Sequence, residues 1–502
     1  MGGSSRQVPD GAGEVPLPVG SAVVARSALW RFVEIVGGEG LTFLFTLVMA
    51  RLLGPDEFGL VAIGTVTVTL AVLVVRFGLA EAIIQHPRPT ERHLDTALWA
   101  NLAIGLLAAQ LVAVAAPVIA ALAAKPDLAP ILWALAPVCL VHAVTYVCVG
   151  LLRRRLDYRG LALRALLATT LSYLVGIALA LDGFGAWALV AVQLLNAVVS
   201  ATTVLVASGH RPHARFGRAE LRELALVAVP VMGQALPNAA ASAAGLVLGV
   251  FLPAASVGHF YVGERLVQSL SMLTGGSIAD LSLPVLARLQ DARESQIRAA
   301  RRALKFAALV CLPAFLGTAL VAEPLIAVLL GEDWLEAVPA LRLLALSGLA
   351  VALASVGGQI LIAAGHAKSA LATNALVLAP AAAATAVLAP VGLLPALLAR
   401  ALVQFVCLRA VAGLLSARLG LGVRTLAGDL VPSLSATGAM ALVLLLLERF
   451  ATAGLPPPAR LAVEVGAGAL AFVGALRLLD GAFLASLLAL ARGGLGRRPP
   501  AG

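Results

Sequence analysis

Charged side chains inside long apolar runs are the residues of this sequence best suited to chemistry. Arg31 and Glu34 are three residues apart, which places them on one face of a helix. Because a guanidinium binds phosphate in a bidentate way, several arginines around one cavity could hold a diphosphate group. We interpret Arg31, Arg76 and Arg265 as candidate anion-binding residues. Glu34 and Glu81 are candidates for coupling transport to an ion.

Other polar side chains in the same runs are weaker candidates. Four amides could contact sugar hydroxyls: Gln193, Asn196, Gln234 and Asn238. Further charges of the same kind are Glu39, Glu264, Arg342 and Arg400. All these residues have an alternative interpretation, since interhelical hydrogen bonds explain buried amides and local ion pairs offset the cost of buried charges. Arg76, late in its run, could instead reach the membrane surface.

The elements that must position these residues are transmembrane helices. Hydrophobic residues make up 61% of the 502 residues and charged residues only 12%. A soluble fold could not bury so much apolar surface, whereas lipid solvates it. Runs long enough to cross about 30 Å of hydrocarbon recur along the chain and predict an all-α polytopic membrane protein of about fourteen helices. We expect these helices near 27–51, 59–84, 94–123, 130–152, 160–181, 185–208, 221–251, 257–286, 301–330, 338–364, 369–389, 392–416, 429–448 and 460–490.

Lysine and arginine residues are concentrated in alternate loops of this predicted bundle. Segments 153–159 and 288–302 are rich in arginine, whereas the only basic residue in the loops near 125 and 183 is Lys125. Basic loops stay on the cytoplasmic side of a membrane. The pattern predicts a multi-pass protein of the cytoplasmic (inner) membrane with both termini in the cytoplasm.

An internal repeat predicts two lobes. Residues 131–198 and 341–408 share one order of helices and turns, and 52–60 resembles 251–262 in place and pattern. Two halves in the same orientation imply a pseudo-two-fold axis along the membrane normal, a cavity between the lobes and alternating access. The predicted division is a disordered cytoplasmic tail (1–24), an N-lobe of six helices (25–210), a C-lobe of six (211–420), two appended helices (421–490) and a basic cytoplasmic tail (491–502).

The sequence lacks the motifs of several functional classes. The chain contains no G-x-x-x-x-G-K-[ST] and no H-E-x-x-H, and its four cysteines and seven histidines are dispersed along the sequence. We therefore expect no cofactor and no metal site. The formal net charge of +10 comes from short clusters between apolar runs, which does not indicate a nucleic-acid partner.

The sequence resembles the oligosaccharide flippases of bacterial polysaccharide export, which belong to the multidrug/oligosaccharidyl-lipid/polysaccharide exporter superfamily. The resemblance covers about residues 25–415, with its segments in the same order. These segments are LLGPDEFGLVAIGT (52–65), FGLAEAIIQ (77–85), ERHLDTALWANLAIGLL (91–107), GLLRRRLDYRGLALRALLA (150–168), VGHFYVGERLVQSLSMLTGGSIADLSLPVLARLQ (257–290) and LGEDWLEAVPALRLLAL (330–346).

The resemblance implies a substrate and a route. The substrate would be a polyprenyl-diphosphate-linked oligosaccharide that moves from the inner to the outer leaflet for capsule, exopolysaccharide or O-antigen assembly. A cationic cavity would hold the diphosphate, with Arg31 and Arg265 where the family has basic residues, while the lipid tail passes between helices 1 and 8. An ion gradient would supply the energy. Besides membrane lipid, partners would be a polysaccharide polymerase and export machinery.

Three alternatives follow from the same residues. A drug or cation antiporter of the same superfamily would favour carboxylates and aromatics in its cavity, and here several charges are arginines. A peptidoglycan-precursor flippase is chemically closer. A membrane glycosyltransferase is a remote alternative, because Asp56–Glu57 and Glu332–Asp333 lie in short loops beside glycines and have the pattern of turns. We expect a transporter and not an enzyme.

Overall fold

The chain is helical throughout the part that its computed structural model describes, which is residues 21–496 without 77, 156, 211, 234, 235, 277–292, 421 and 453. No strand occurs among these residues, so the predicted all-α fold is confirmed. The helices are α1 (Ser21–Leu52), α2 (Pro55–Arg76), α3 (Leu79–Gln85), α4 (Glu91–Leu122), α5 (Leu128–Leu135), α6 (Pro137–Arg154), α7 (Tyr158–Leu181), α8 (Ala186–Ser208), α9 (Arg218–Gly233), α10 (Leu236–Phe251), α11 (Ala254–Ser271), α12 (Arg293–Leu320), α13 (Ala322–Leu329), α14 (Val338–Ala363), α15 (Ala367–Leu388), α16 (Leu393–Leu419), α17 (Val423–Phe450) and α18 (Pro457–Gly496).

Twelve helical segments of the described chain are long and apolar enough to cross a membrane. They correspond to all but the seventh and eighth predicted helices. In the place of the seventh, α9 and α10 are separated by residues 234–235, which are outside the described residues. In the place of the eighth, α11 and a π-helical turn at Met272–Gly276 end at the undescribed segment 277–292. Every predicted helix therefore has a counterpart.

Several predicted helices are interrupted in the described chain. The predicted helix 301–330 is divided at Val321 into α12 and α13. In three other cases a feature of the sequence or a side-chain contact accompanies the break. α2 and α3 are separated around Gly78, whose φ of 115° favours glycine. α6 begins with Pro137, which provides no backbone N–H for a helix continuing from α5. In α18 the backbone leaves helical geometry at Asp480, whose side chain pairs with Lys305 of α12.

Helix packing follows the two halves of the sequence. In the first half, α1 packs on α7, α7 on α8, and α6 on both α4 and α8. In the second half, α14 packs on α12 and α16, and α15 on α10 and α16. The main contact between the halves joins α2 to α11, while α17 and α18 pack on each other and on α12. The exact lobe boundaries stay a prediction.

The segment that opens the second half begins against the first half. α9 packs on α3 and α4, and its buried Leu224 and Ala228 lie in one cluster with Leu79, Ile83 and Leu94. After the undescribed residues 234–235, α10 packs on α15 and α2 instead. This segment therefore ties the second half to the first at the end of the bundle where α4 begins.

Two glycines let α2 and α11 touch at the opposite end, which we call the predicted outer end because it carries the loops at 53–54, 123–127 and 252–253. A Cβ placed on Gly59 would overlap the carbonyl of Ala254, and one on Gly258 would overlap the carbonyl of Pro55. The backbones are therefore in direct contact. These glycines lie in the two segments, 52–60 and 251–262, that the repeat aligns.

Side chains of the first half cap helix ends of the second half here. Arg51 donates to the carbonyls of Val328 and Leu329 at the end of α13. Asp56 accepts a hydrogen bond of 3.0 Å from the backbone N–H of Ala255, at the start of α11. Helix termini lack intrahelical partners, so these contacts satisfy groups that would otherwise need water.

Two further side chains, those of Trp334 and Lys125, form hydrogen bonds between the halves at the predicted outer end. Trp334 Nε1, fully buried, donates to the Ala50 carbonyl at 2.7 Å. Lys125 Nζ donates to the carbonyls of Gly249 and Leu252 at 3.0 and 2.8 Å, and burial lowers the pKa of this ammonium group. The bundle is thus closed at the predicted outer end.

The predicted topology can be tested by cysteine labelling, since all four native cysteines are buried. Cysteines that replace the exposed residues Asp182 and Leu455 should react with an impermeant maleimide in intact spheroplasts. Cysteines at Arg159 and Glu294 should react only after permeabilisation. The opposite pattern would reverse the orientation, and a mixed pattern would show that a helix has been misplaced.

Candidate functional site

A cavity of about 310 Å³ lies between the two halves, bounded by α2, α10, α11, α15 and α16. Apolar and polar side chains both line it, and each of the five helices contributes at least one polar residue. The polar and charged residues of the lining are Thr65, Thr69, Ser242, Tyr261, Glu264, Arg265, Gln268, Thr385, Arg400 and Gln404. Convergent polar groups within an apolar enclosure are typical of ligand sites.

Two ion pairs dominate the cavity, and both involve α11. Arg265 Nη2 lies 2.6 Å from an oxygen of Glu39 on α1, and Arg400 Nη2 on α16 lies 2.9 Å from Glu264. The two arginine side chains are only 18% and 19% exposed. Charges inside a membrane domain are costly unless they are paired or face a polar cavity; all four residues are paired, and Glu264, Arg265 and Arg400 also line the cavity.

The pairs leave hydrogen-bonding capacity unused. Arg265 Nε and Glu264 Oε2 are buried without a hydrogen-bond partner among the described residues. Buried polar atoms normally have partners, so unsatisfied ones beside a cavity indicate a place for a ligand or water. An anion that reached Arg265 and Arg400 together would meet two guanidinium groups from different helices.

A smaller cavity of about 210 Å³ adjoins the first, since Thr65 and Tyr261 line both. Gln193 Nε2 donates to Thr65 Oγ1 at 2.6 Å, which places this predicted sugar-contact residue in its wall. Tyr173, whose hydroxyl donates to Thr42 at 2.9 Å, also lines it. The smaller cavity offers hydroxyl and amide groups without charges.

The other predicted amides have a different setting. Asn196 donates to Ser172 Oγ at 3.3 Å between α8 and α7, which is the interhelical hydrogen bond of the alternative interpretation. Gln234 and the side chain of Asn238 lie outside the described residues. The side chain of Arg31 lies outside them as well.

The remaining predicted residues do not lie in the wall of the main cavity. Arg76 is the last residue of α2, and its guanidinium lies 5.9 Å from the centre of the Tyr146 ring. Glu34 lies 3.8 Å from Arg164 of α7. Glu81 accepts a hydrogen bond of 3.3 Å from the Gly78 N–H, which caps the start of α3. Their proposed roles stay predictions.

Two arginines in this region had weak signals in the sequence. The position of Arg400 in the sequence fits a helix end or a contact between the lobes; it lies two turns after the start of α16 at Leu393, and its side chain lines the cavity. Arg164 stands close to the basic run 153–159 and has the pattern of an orientation charge. It lies nearly two turns inside α7, where it donates to Ser200 Oγ at 2.7 Å.

Four of the histidines that are dispersed along the sequence lie in two clusters in the fold. His86 and His93 contact one carboxylate, that of Glu223, and His210 and His213 both lie beside the buried Asp95. They converge because the segment after α8 folds back on the start of α4, where Asp95 accepts a hydrogen bond from the His213 N–H. Sequence distance conceals this contact.

Comparison with known proteins agrees with this architecture. Residues 48–339 match the family model described as polysaccharide biosynthesis protein. The succinoglycan biosynthesis transport protein ExoT of Rhizobium meliloti (strain 1021) is 26% identical over 330 residues, which cover 66% of this chain and 67% of that protein. The lipopolysaccharide biosynthesis protein WzxC of Escherichia coli (strain K12) is 25% identical over 342 residues, 66% of this chain and 68% of that protein.

Solved structures give the fold. The lipid II flippase MurJ in an inward closed conformation superposes with a TM-score of 0.74 at 12% identity, covering 91% of this chain and 100% of that one. An inward-facing multidrug resistance MATE family transporter of the MOP superfamily gives 0.57 at 15% identity, covering 78% and 99%. The family match spans more than half of the chain, and these folds agree with it. The chain is therefore a multi-pass membrane protein that belongs to the polysaccharide biosynthesis protein family.

Proposed function

We propose that this protein is a flippase that moves a polyprenyl-diphosphate-linked oligosaccharide from the inner to the outer leaflet for cell-surface polysaccharide export. The observation that carries the proposal is the pair of arginines, Arg265 and Arg400, that line one cavity between the halves. Two guanidinium groups match the charge and geometry of a diphosphate. The names of ExoT and WzxC support the class of substrate.

The ion pairs give the cavity a way to bind and release its substrate. Without substrate, Arg265 and Arg400 have carboxylate partners, so the cavity carries no net charge from these four residues. The empty protein can then change conformation without moving charge through lipid. An arriving diphosphate replaces Glu39 and Glu264 at the guanidinium groups. When the released carboxylates return to the arginines, the substrate is expelled.

The neighbouring surfaces suit the rest of the substrate. The smaller cavity beside the arginines, with Gln193 and Tyr173, would receive the first sugars of the oligosaccharide. The closed predicted outer end would keep the substrate accessible only from the inner leaflet in this conformation. Opening of the contact between α2 and α11 would then release it outward, which is alternating access.

The test is leaflet exchange in proteoliposomes. Purified protein should flip a fluorescent short-chain polyprenyl-diphosphate oligosaccharide, measured as the fraction accessible to a quencher outside the vesicle, with and without an ion gradient. A matched lipid with a monophosphate should move more slowly. A cationic dye in parallel vesicles is the contrast, because dye transport without lipid exchange would identify a drug antiporter. Exchange of lipid II alone would identify a peptidoglycan-precursor flippase.

A further inference from the structure

Two histidines and one glutamate meet at the end of the bundle opposite the predicted outer end. His86 follows α3, His93 lies in the first turn of α4, and Glu223 lies in the second turn of α9. The site thus joins the turn between α3 and α4, in the first half of the chain, to the start of the second half. Its three residues belong to neither cavity lining described above.

The ligand atoms have the spacing of a metal site. Nε2 of His86 lies 3.4 Å, and Nε2 of His93 3.1 Å, from the same Glu223 oxygen. The three atoms lie within 4.8 Å of one another. In a tetrahedral zinc site with bonds of 2.0–2.1 Å, ligand atoms are about 3.3 Å apart. Two of the three separations match this value, and the third, between the two Nε2 atoms, is no more than 4.8 Å.

We propose that His86, His93 and Glu223 bind a divalent transition-metal ion of the Zn²⁺ class and that the ion clamps α9 to the turn between α3 and α4. Two imidazole nitrogens and one carboxylate oxygen suit zinc and its neighbours, whereas magnesium and calcium prefer oxygen ligands. Water would complete the tetrahedron, because Glu223 is 56% exposed and the site is open to solvent.

The groups behind the rings permit this chemistry. A histidine that binds metal through Nε2 usually donates its Nδ1 proton to an acceptor, and Thr90 Oγ1 lies 2.7 Å from His93 Nδ1. Without metal, the Thr90 N–H at 3.3 Å donates to this nitrogen, so metal binding requires a change of tautomer and a small shift that turns the Thr90 N–H away from the Nδ1 proton. Nδ1 of His86 has no hydrogen-bond partner among the described residues, which leaves either tautomer available.

The metal ion would strengthen the packing of α9 on α3 and α4, which other contacts already stabilise. Beside the three ligands, Arg92 Nε of α4 lies 3.0 Å from Glu220 of α9, and apolar side chains of α3, α4 and α9 form one buried cluster. An ion that binds only this docked arrangement stabilises it by an amount that grows with the metal concentration relative to the Kd.

The test uses the full-length protein, purified with a tag that contains no histidine. Co²⁺, a spectroscopic substitute for Zn²⁺, should give the intense visible bands of a tetrahedral site, at one equivalent, and Zn²⁺ should remove them by competition. Zn²⁺ should also raise the thermal midpoint of the detergent-solubilised protein. In H86A the apparent Kd for Co²⁺ should rise at least ~100-fold, the upper end of losses seen when support for a metal ligand is removed.

The variant E223Q separates a metal site from a hydrogen-bonded triad. Its amide oxygen still accepts hydrogen bonds from both histidines but is a poor metal ligand, so the metal-free midpoint should stay near that of the wild type while the Zn²⁺ shift disappears. H213A, in the neighbouring histidine cluster, should keep the full Zn²⁺ response. The proposal would be overturned if the wild type gave no tetrahedral Co²⁺ spectrum. It would also be overturned if Zn²⁺ raised the thermal midpoint of H86A and E223Q as much as that of the wild type.

Discussion

Replacing Arg265 with alanine should reduce flipping of the lipid-linked oligosaccharide by at least about 100-fold, which corresponds to roughly 3 kcal/mol of lost interaction with the diphosphate. The same loss is expected for R400A. Each guanidinium is largely enclosed and faces the same cavity, so water cannot substitute for it effectively. R265K should retain part of the activity, because a lysine keeps the charge but not the bidentate geometry.

A single substitution also leaves a carboxylate unpaired, which could by itself destabilise the protein. The double variants E39A/R265A and E264A/R400A remove each pair whole. They should accumulate at the wild-type level and still fail in flipping, because the substrate needs the cation and not the pair. Flipping in the proteoliposome assay and the amount of protein in the membrane are measured on the same preparations.

A matched pair away from the cavity provides the control. Lys305 and Asp480 join α12 to α18 and do not line the cavity, so K305A/D480A should flip at nearly the wild-type rate. If E39A/R265A flipped as fast as K305A/D480A, Arg265 would only form a structural ion pair. The proposal that it binds the diphosphate would then be wrong. If the control K305A/D480A also flipped poorly, the assay would report a loss of stability and not the loss of the anion site.

The fold could be predicted from the sequence because lipid makes one rule dominant. A backbone in hydrocarbon must satisfy its own hydrogen bonds, so an apolar run of sufficient length is a helix. The interruptions within the predicted helices were harder to predict from the sequence. The separation of α2 from α3 depends on φ at Gly78 and on how closely Ala228 of α9 approaches it, which is a tertiary contact that hydropathy does not contain.

The site was predicted only in part, for a related reason. Charges in apolar runs identified Arg265 and Glu264 as candidates, but not their partners. Glu39 lies on the same helix as Glu34 and Arg31, as expected, and its partner is Arg265, 226 residues away along the chain. Which helix faces which is fixed by packing between the halves, so the identity of each partner requires the three-dimensional arrangement.

The second large effect is expected at the glycine contact between α2 and α11. Replacing Gly59 with leucine should prevent the predicted outer end from closing, because even a Cβ at this position overlaps the Ala254 carbonyl. Overpacking typically costs about 1–3 kcal/mol, which would shift the ratio of closed to open conformations by roughly 5- to 150-fold. Flipping should fall accordingly, since a transporter that cannot close one side cannot alternate.

The shift can be measured directly. Spin labels at the exposed positions Asp182 and Asp333, which follow α7 in the first half and precede α14 in the second, should show a longer separation in G59L than in the unsubstituted background. G258L should give the same change from the other helix. G358A is the matched control, because a Cβ on Gly358 of α14 has no neighbour within 4 Å and should alter neither distance nor flipping.

The glycine substitutions also distinguish a gate from ordinary close packing. If the contact only stabilised the fold, G59L would lower the amount of folded protein while the label distance in the remainder stayed unchanged. If it is a gate, the contacts at the helix ends explain why opening costs little free energy. Arg51, Asp56 and Lys125 cap termini of the opposite half, and water at the membrane surface could satisfy the same groups after separation. A longer distance in well-folded G59L would therefore mean that the closed state depends on contact between two backbones, with the caps serving as reversible contacts.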